Sequence, residues 1–141
     1  MTPLEAMERL AATWFPDAMT DPATAERWID VFADDVVVIE PASLPHGGRH
    51  EGLDAFRSLQ ATMRELWDQR IEAADYWPCG EDRVTLRIVI HWTARSTGRS
   101  VVLPMIDLLR FRDGRVVEVE AFVHDTQALL ATLEPSERGE A

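Results

Sequence analysis

Cysteine is almost missing from this chain: Cys79 is the only one, which excludes an intramolecular disulfide and a thiolate metal cluster. Lysine is missing altogether, so all 14 basic residues are arginine. Tyrosine occurs once, at Tyr76. No apolar run approaches the roughly 18 residues of a membrane span, and Glu5 and Glu8 break any signal-peptide pattern. Positive charge is scarce beside 25 acidic residues, which leaves a net charge of -11. Such a surface repels nucleic acid and anionic lipid, so neither is expected as a partner. No histidine pair, and no histidine with a carboxylate, has metal-ligating spacing on one helix, so no metal site is expected. The expectation is a cytoplasmic protein of one domain, 1–141, with 46% hydrophobic and 28% charged residues. A chain of this size buries roughly two thirds of its unfolded surface.

What is present is organised around FADDVVVIEPASLPHGG, Phe32 to Gly48. Its aliphatic run, bounded by Asp34-Asp35 and Pro41, predicts a short buried strand. Alternation puts Val36, Val38 and Glu40 on one face and Val37 and Ile39 on the other. Pro41 cannot donate to a ladder, so pairing stops there and Glu40 stands at the mouth of a potential pocket. A carboxylate among apolar neighbours is raw material for a general base; a solvated loop acid is the bland alternative. Ser43 to Gly52 reads as a turn-rich loop carrying His46 and His50. Of the two, His46, between Pro45 and Gly47-Gly48, is the candidate for a pocket rim.

Helices precede the main sheet. Thr2-Pro3-Leu4-Glu5 is a capping box, followed by Leu4, Met7, Leu10, Ala11 and Trp14 at helical spacing. Asp21-Pro22 opens a second stripe through Ala25, Trp28, Ile29 and Phe32. Leu53, Phe56, Leu59, Met63, Leu66 and Trp67 predict a third helix. From Arg70 the period changes to two. A strand near Ile71–Trp77 leads to a turn at 78–82, then to a strand with Val84, Leu86, Ile88, Ile90 and Trp92 inward and His91 in the outer row. Val101–Arg112 and a strand carrying Val117, Val119, Ala121 and Val123 flank the hairpin turn Asp113-Gly114. Asp125 can cap a short last helix with Leu129, Leu130 and Leu133, after which ERGEA frays. The pattern predicts an α+β fold: a curved antiparallel sheet packed against three helices of the N-terminal half, closing a cone around one deep apolar pocket.

A second acid stands out within VVLPMIDLLRF. Asp107 shares a strand row with Val101, Leu103, Met105 and Leu109. A buried Asp either pairs with a cation, for which Arg87 and Arg110 are available, or is held protonated by desolvation.

FADD at Phe32–Asp35, VVVIEP up to Glu40, VVLPMIDLLRF and GRVVEVEAF together resemble the ketosteroid isomerases. These belong to the wider superfamily of cone-shaped, cystatin-like α+β proteins related to nuclear transport factor two and the SnoaL-like polyketide cyclases. The likeness runs from about Trp28 to Val123. It implies that Glu40 takes the place of the family's aspartate base and Asp107 that of its protonated oxyanion-hole aspartate. The base is one methylene longer here, and the first helix lacks the family's oxyanion-hole tyrosine; Trp14 could supply an N–H instead. The PASLPHGG loop is closer to the SnoaL-like branch.

The expected function is a cofactor-free isomerase or cyclase acting on an apolar, carbonyl-bearing ring compound. Glu40 and Asp107 are its catalytic pair, and Trp14, Trp28, His46, Phe56, Leu103, Met105, Val119 and Ala121 are expected around the substrate. Two alternatives stay open. One is water chemistry, as in dehydratases and epoxide hydrolases of this fold. The other is a non-enzymatic module for binding hydrophobic ligands or for dimerisation. The resemblance and the mixed outer row around His91 favour a homodimer.

Overall fold

The computed structural model describes residues 1–14 and 31–135, without the side chains of Thr13 and Trp14. The helix expected from Asp21-Pro22 through Trp28, and the ERGEA tail, lie outside the described residues. Helix α1 spans Pro3–Trp14, and the Glu5 N–H donates to Thr2 Oγ1 at 3.1 Å, as the capping signal requires. Its most buried side chains are Ala6, Met7 and Leu10.

Six strands follow: β1 Phe32–Glu40, β2 Gly48–Glu51, β3 Trp67–Pro78, β4 Arg83–Ala94, β5 Ser100–Arg112 and β6 Arg115–Val123. Helix α2, Leu53–Leu66, lies between β2 and β3, and α3, Thr126–Ala131, closes the described chain. The strands form one curved, unclosed sheet in the order β2-β1-β6-β5-β4-β3. Neighbours are antiparallel except β1 and β6, which run parallel. The intervening chain between them is long enough to make that crossover. Asp113 and Gly114 both take positive φ, 52° and 78°, as a two-residue hairpin turn demands.

Three local expectations need correction. Phe32 does not end a helical stripe but starts β1, and its ring packs edge-on against Phe56 at 4.8 Å. Trp67 does not close α2: its backbone is already extended, and it begins β3 opposite Ala94. A buried apolar residue at a helix–strand junction satisfies either period, so spacing alone could not assign it. The loop Ser43 to Gly52 contains a strand, β2, whose residues Gly-Arg-His-Glu show no apolar alternation because they form a polar sheet edge.

The core forms as the period predicts. Val84, Leu86, Ile88, Ile90 and Trp92 of β4 are all buried, facing inward with Met105 and Leu109 of β5 and Val119 and Ala121 of β6. Phe56, Leu59 and Met63 of α2 complete this core, each contributing about 1.5–3 kcal/mol by leaving water. On the outer face Arg70 donates to Glu72 Oε1 and lies 2.8 Å from His91 Nδ1, which places His91 outside. Asp125 caps α3 through the Ala128 N–H at 3.0 Å. Trp67 Nε1 donates to Thr132 Oγ1 at 2.9 Å just beyond that helix.

Candidate functional site

Between the helices and the inner sheet face lies a cavity of about 80 Å³. Its walls are apolar except for three side chains among the described residues: Glu40, Gln60 and Asp107.

Glu40 ends β1, opposite Gly48 of β2. The alternation that buries Val36 and Val38 carries its side chain inward, leaving the residue 7% exposed. Its Oε2 is covered and has no hydrogen-bond partner among the described residues. Beyond Pro41 the chain folds back on itself: the Leu44 N–H donates to the Pro41 carbonyl at 3.1 Å and the Gly47 N–H to the Leu44 carbonyl at 2.9 Å. A side chain at Gly47 would run into the Pro41 carbonyl, so only glycine fits this fold-back. The result carries His46 inward to 3% exposure.

His46 is therefore not a rim residue, as the loop composition suggested, and it is not among the residues lining the cavity. It stands beside Glu40, Nε2 to Oε1 at 3.6 Å, longer than a hydrogen bond. Its ring meets Trp67 edge-on at 5.8 Å, and neither ring nitrogen has a hydrogen-bond partner among the described residues. His50 donates from Nε2 to the His46 carbonyl at 2.9 Å and so ties the loop to β2.

Asp107 lies on β5 between Leu86 of β4 and Ala121 of β6. Neither candidate arginine reaches it. Arg110 faces outward to Glu118 at 3.7 Å, and Arg87 stands opposite Ile106 in the outer row. The residue keeps some exposed surface, but its Oδ1 is covered and has no hydrogen-bond partner among the described residues. Burial first, and the charge of Glu40 second, push the Asp107 carboxyl well above the usual carboxylate range. The two acids thus share one low-dielectric cavity, and the charge of Glu40 opposes the ionisation of Asp107.

Gln60 was not singled out from the sequence, although a signal exists. On α2 the buried face is Phe56, Leu59, Gln60 and Met63, the i, i+3, i+4, i+7 stripe, with one amide where apolar side chains belong.

Of the remaining expected residues, Phe56, Met105, Val119 and Ala121 line the same cavity as the acids. Leu103 does not: the cavity meets β5 at Met105, Asp107 and Leu109, and Leu103 fills the core beyond its end. Trp28 and the side chain of Trp14 lie outside the described residues. Among the described residues no group of three His, Cys, Asp or Glu side chains could hold a metal ion, and no helix is long and apolar enough to cross a membrane.

The profile of the SnoaL-like domain matches residues 11–119. None of the curated proteins matches the chain. Among solved structures, an NTF2-like protein from Burkholderia xenovorans LB400 is 20% identical, with TM-score 0.78 over 95% of this chain and 98% of that one. A candidate polyketide cyclase from Xanthomonas campestris pv. campestris is 20% identical, with TM-score 0.76 over 94% of this chain and 100% of its own. A cystatin-like protein of unknown function from Xanthomonas campestris is 23% identical, with TM-score 0.73 over 96% and 100%. At such identities the structural likeness speaks for the fold, while the profile match speaks for the family. The chain belongs to the SnoaL-like domain family.

Proposed function

We propose that this protein is a cofactor-free isomerase or cyclase that removes a proton α to the carbonyl of a small apolar ring compound. The observation that carries the reading is the pair of acids in one apolar cavity, with Asp107 unpartnered among the described residues and pushed towards its neutral form. Glu40, as carboxylate, takes the α-proton. Asp107, protonated, donates to the carbonyl oxygen as it becomes an enolate, which is where electrostatic stabilisation is largest. Glu40 then returns the proton to another carbon, giving isomerisation; or the enolate carbon attacks a second carbonyl, whose oxygen becomes an alkoxide and takes the proton back from Glu40, giving ring closure. The cavity volume of about 80 Å³ is smaller than the roughly 150 Å³ that holds benzene, so even one small ring requires side chains to move.

Water chemistry is less well supported, because no arginine lines the cavity among the described residues and His46 stands alone behind Glu40. A homodimer is proposed through the outer sheet face. There Val102 and Phe122 are each about half exposed, and Phe122 pairs across the strands with Ile106.

The test is incorporation of solvent deuterium into a panel of cyclic enones and β-diketones. Exchange catalysed by the wild type and lost in Glu40→Gln supports enolisation. Binding without exchange in either protein would leave a non-catalytic ligand carrier instead.

A further inference from the structure

Gln60 has no role in the chemistry proposed above, yet it is the third polar group of the cavity. It is 7% exposed, its Oε1 is covered, and that oxygen has no hydrogen-bond partner among the described residues. Leucine or methionine would sustain the helix equally well and fill the same stripe without burying an amide. Gln69 is a buried glutamine too, but it does not line the cavity. Of the two buried glutamines among the described residues, only Gln60 joins an unanswered polar atom to a place on the cavity wall.

We infer that Gln60 is a ligand-recognition group, and that the ligand carries a second oxygen function, a hydroxyl or carbonyl, besides the carbonyl that reacts. A primary amide offers two N–H donors and one acceptor oxygen, so it can answer either group. The second function is neutral: Glu40 opens on the same cavity and repels an anion. Gln60 comes from α2, whereas Glu40 and Asp107 come from the sheet, so the two oxygen functions meet opposite walls. The substrate class narrows to small hydroxy-ketones, diketones or their enol tautomers, and away from hydrocarbon frameworks with one carbonyl. Buried polar groups discriminate strongly in this sense, because an analogue lacking the matching oxygen leaves them unpaired.

The inference rests on the cavity being the ligand site, but not on proton abstraction by Glu40. Its test therefore uses binding and melting rather than turnover. Calorimetric titration of the full chain with phenol, catechol, resorcinol and hydroquinone at pH 7 compares one oxygen with two on the same ring. In the wild type at least one of the three diols binds about tenfold tighter than phenol, the worth of one hydrogen bond. In Gln60→Met that advantage disappears while phenol binds as well as before or better. Gln60→Leu serves as the second variant, and both unliganded variants melt at or above the wild-type temperature. Three outcomes would overturn the inference: no diol preference or no binding of any probe in the wild type, a preference that survives both substitutions, or a lower melting temperature in both. A Gln60-dependent preference without any deuterium exchange would defeat the enolisation reading alone. Exchange without the preference would defeat this inference alone.

Discussion

The two faces of the sheet treat their polar side chains in opposite ways. On the outer face several charges are paired: Arg70 with Glu72 and His91, Arg110 with Glu118, Arg112 with Asp35. These groups are wet, and their partners offset little more than the cost of ordering them. On the inner face polar groups are few and answered poorly. Glu40, Gln60 and Asp107 each keep a buried oxygen without a hydrogen-bond partner among the described residues. Burial of that kind lowers stability, and a sequence selected for stability alone would fill those positions with aliphatic side chains. The difference teaches where to look for chemistry: charges that satisfy one another are held in place, whereas unsatisfied ones remain available to a ligand.

Glu40→Gln gives the largest effect and can break this contrast outright. Fold and ligand affinity persist, while deuterium exchange falls by about 10²-fold or more, the usual contribution of a positioned base. Wild-type exchange in the variant would make the inner acid as inert as the outer ones.

Gly47→Ala comes next. The added methyl must displace the Pro41–Ala42 backbone, so denaturant melts should show a loss of about 1–3 kcal/mol. Exchange should fall with it, because the same fold-back holds His46 beside Glu40. A variant as stable as the wild type would mean that the loop has room the structure does not show.

Asp107→Asn sharpens the comparison through pH. The folded protein holds the Asp107 proton more tightly than the unfolded chain does, whose pKa is about 3.9. Above that value the unfolded state binds fewer protons, so wild-type stability falls as pH rises towards the folded pKa. Asparagine cannot ionise and escapes this penalty. The variant should gain on the wild type between pH 5 and pH 8 in paired melts, yet exchange deuterium more slowly, the amide being the poorer donor to an oxyanion. A variant that loses ground over that interval points to an Asp107 held by a cation.

His91→Ala, on the outer face, should have the smallest effect. Neither melting temperature nor exchange rate should move measurably, since the polar partners of the His91 ring among the described residues are the outer-face Arg70 and Glu72. A clear loss of exchange would show that the outer face feeds the site.

The legible parts of this molecule were those in which one strand decides the outcome. The inward turn of Glu40 follows from alternation through Val36 and Val38 and from the stop at Pro41. Asp107 announced itself as a carboxyl in an apolar row, though its two available arginines left the pairing open until the register put both in the outer rows. What stayed hidden depends on more than one segment. His46 turns inward only because Gly47 packs beneath the Pro41 carbonyl, a contact with no local signature. β2 is polar and exists because β1 offers it an edge. Gln60 was visible as a break in a helical stripe, but a single polar residue there is ambiguous until a cavity is seen beside it.

The central claim is that Asp107 stays protonated at neutral pH within reach of Glu40's charge. Carboxyl ¹³C chemical shifts of aspartate-labelled protein, with the Asp107 signal identified by its loss in Asp107→Asn, test this directly. The account predicts that the Asp107 carbon keeps the shift of a neutral acid at pH 7, and that in Glu40→Gln it ionises more readily because the opposing charge is gone. An Asp107 signal already at the carboxylate position at pH 5, and unmoved by Glu40→Gln, would contradict it.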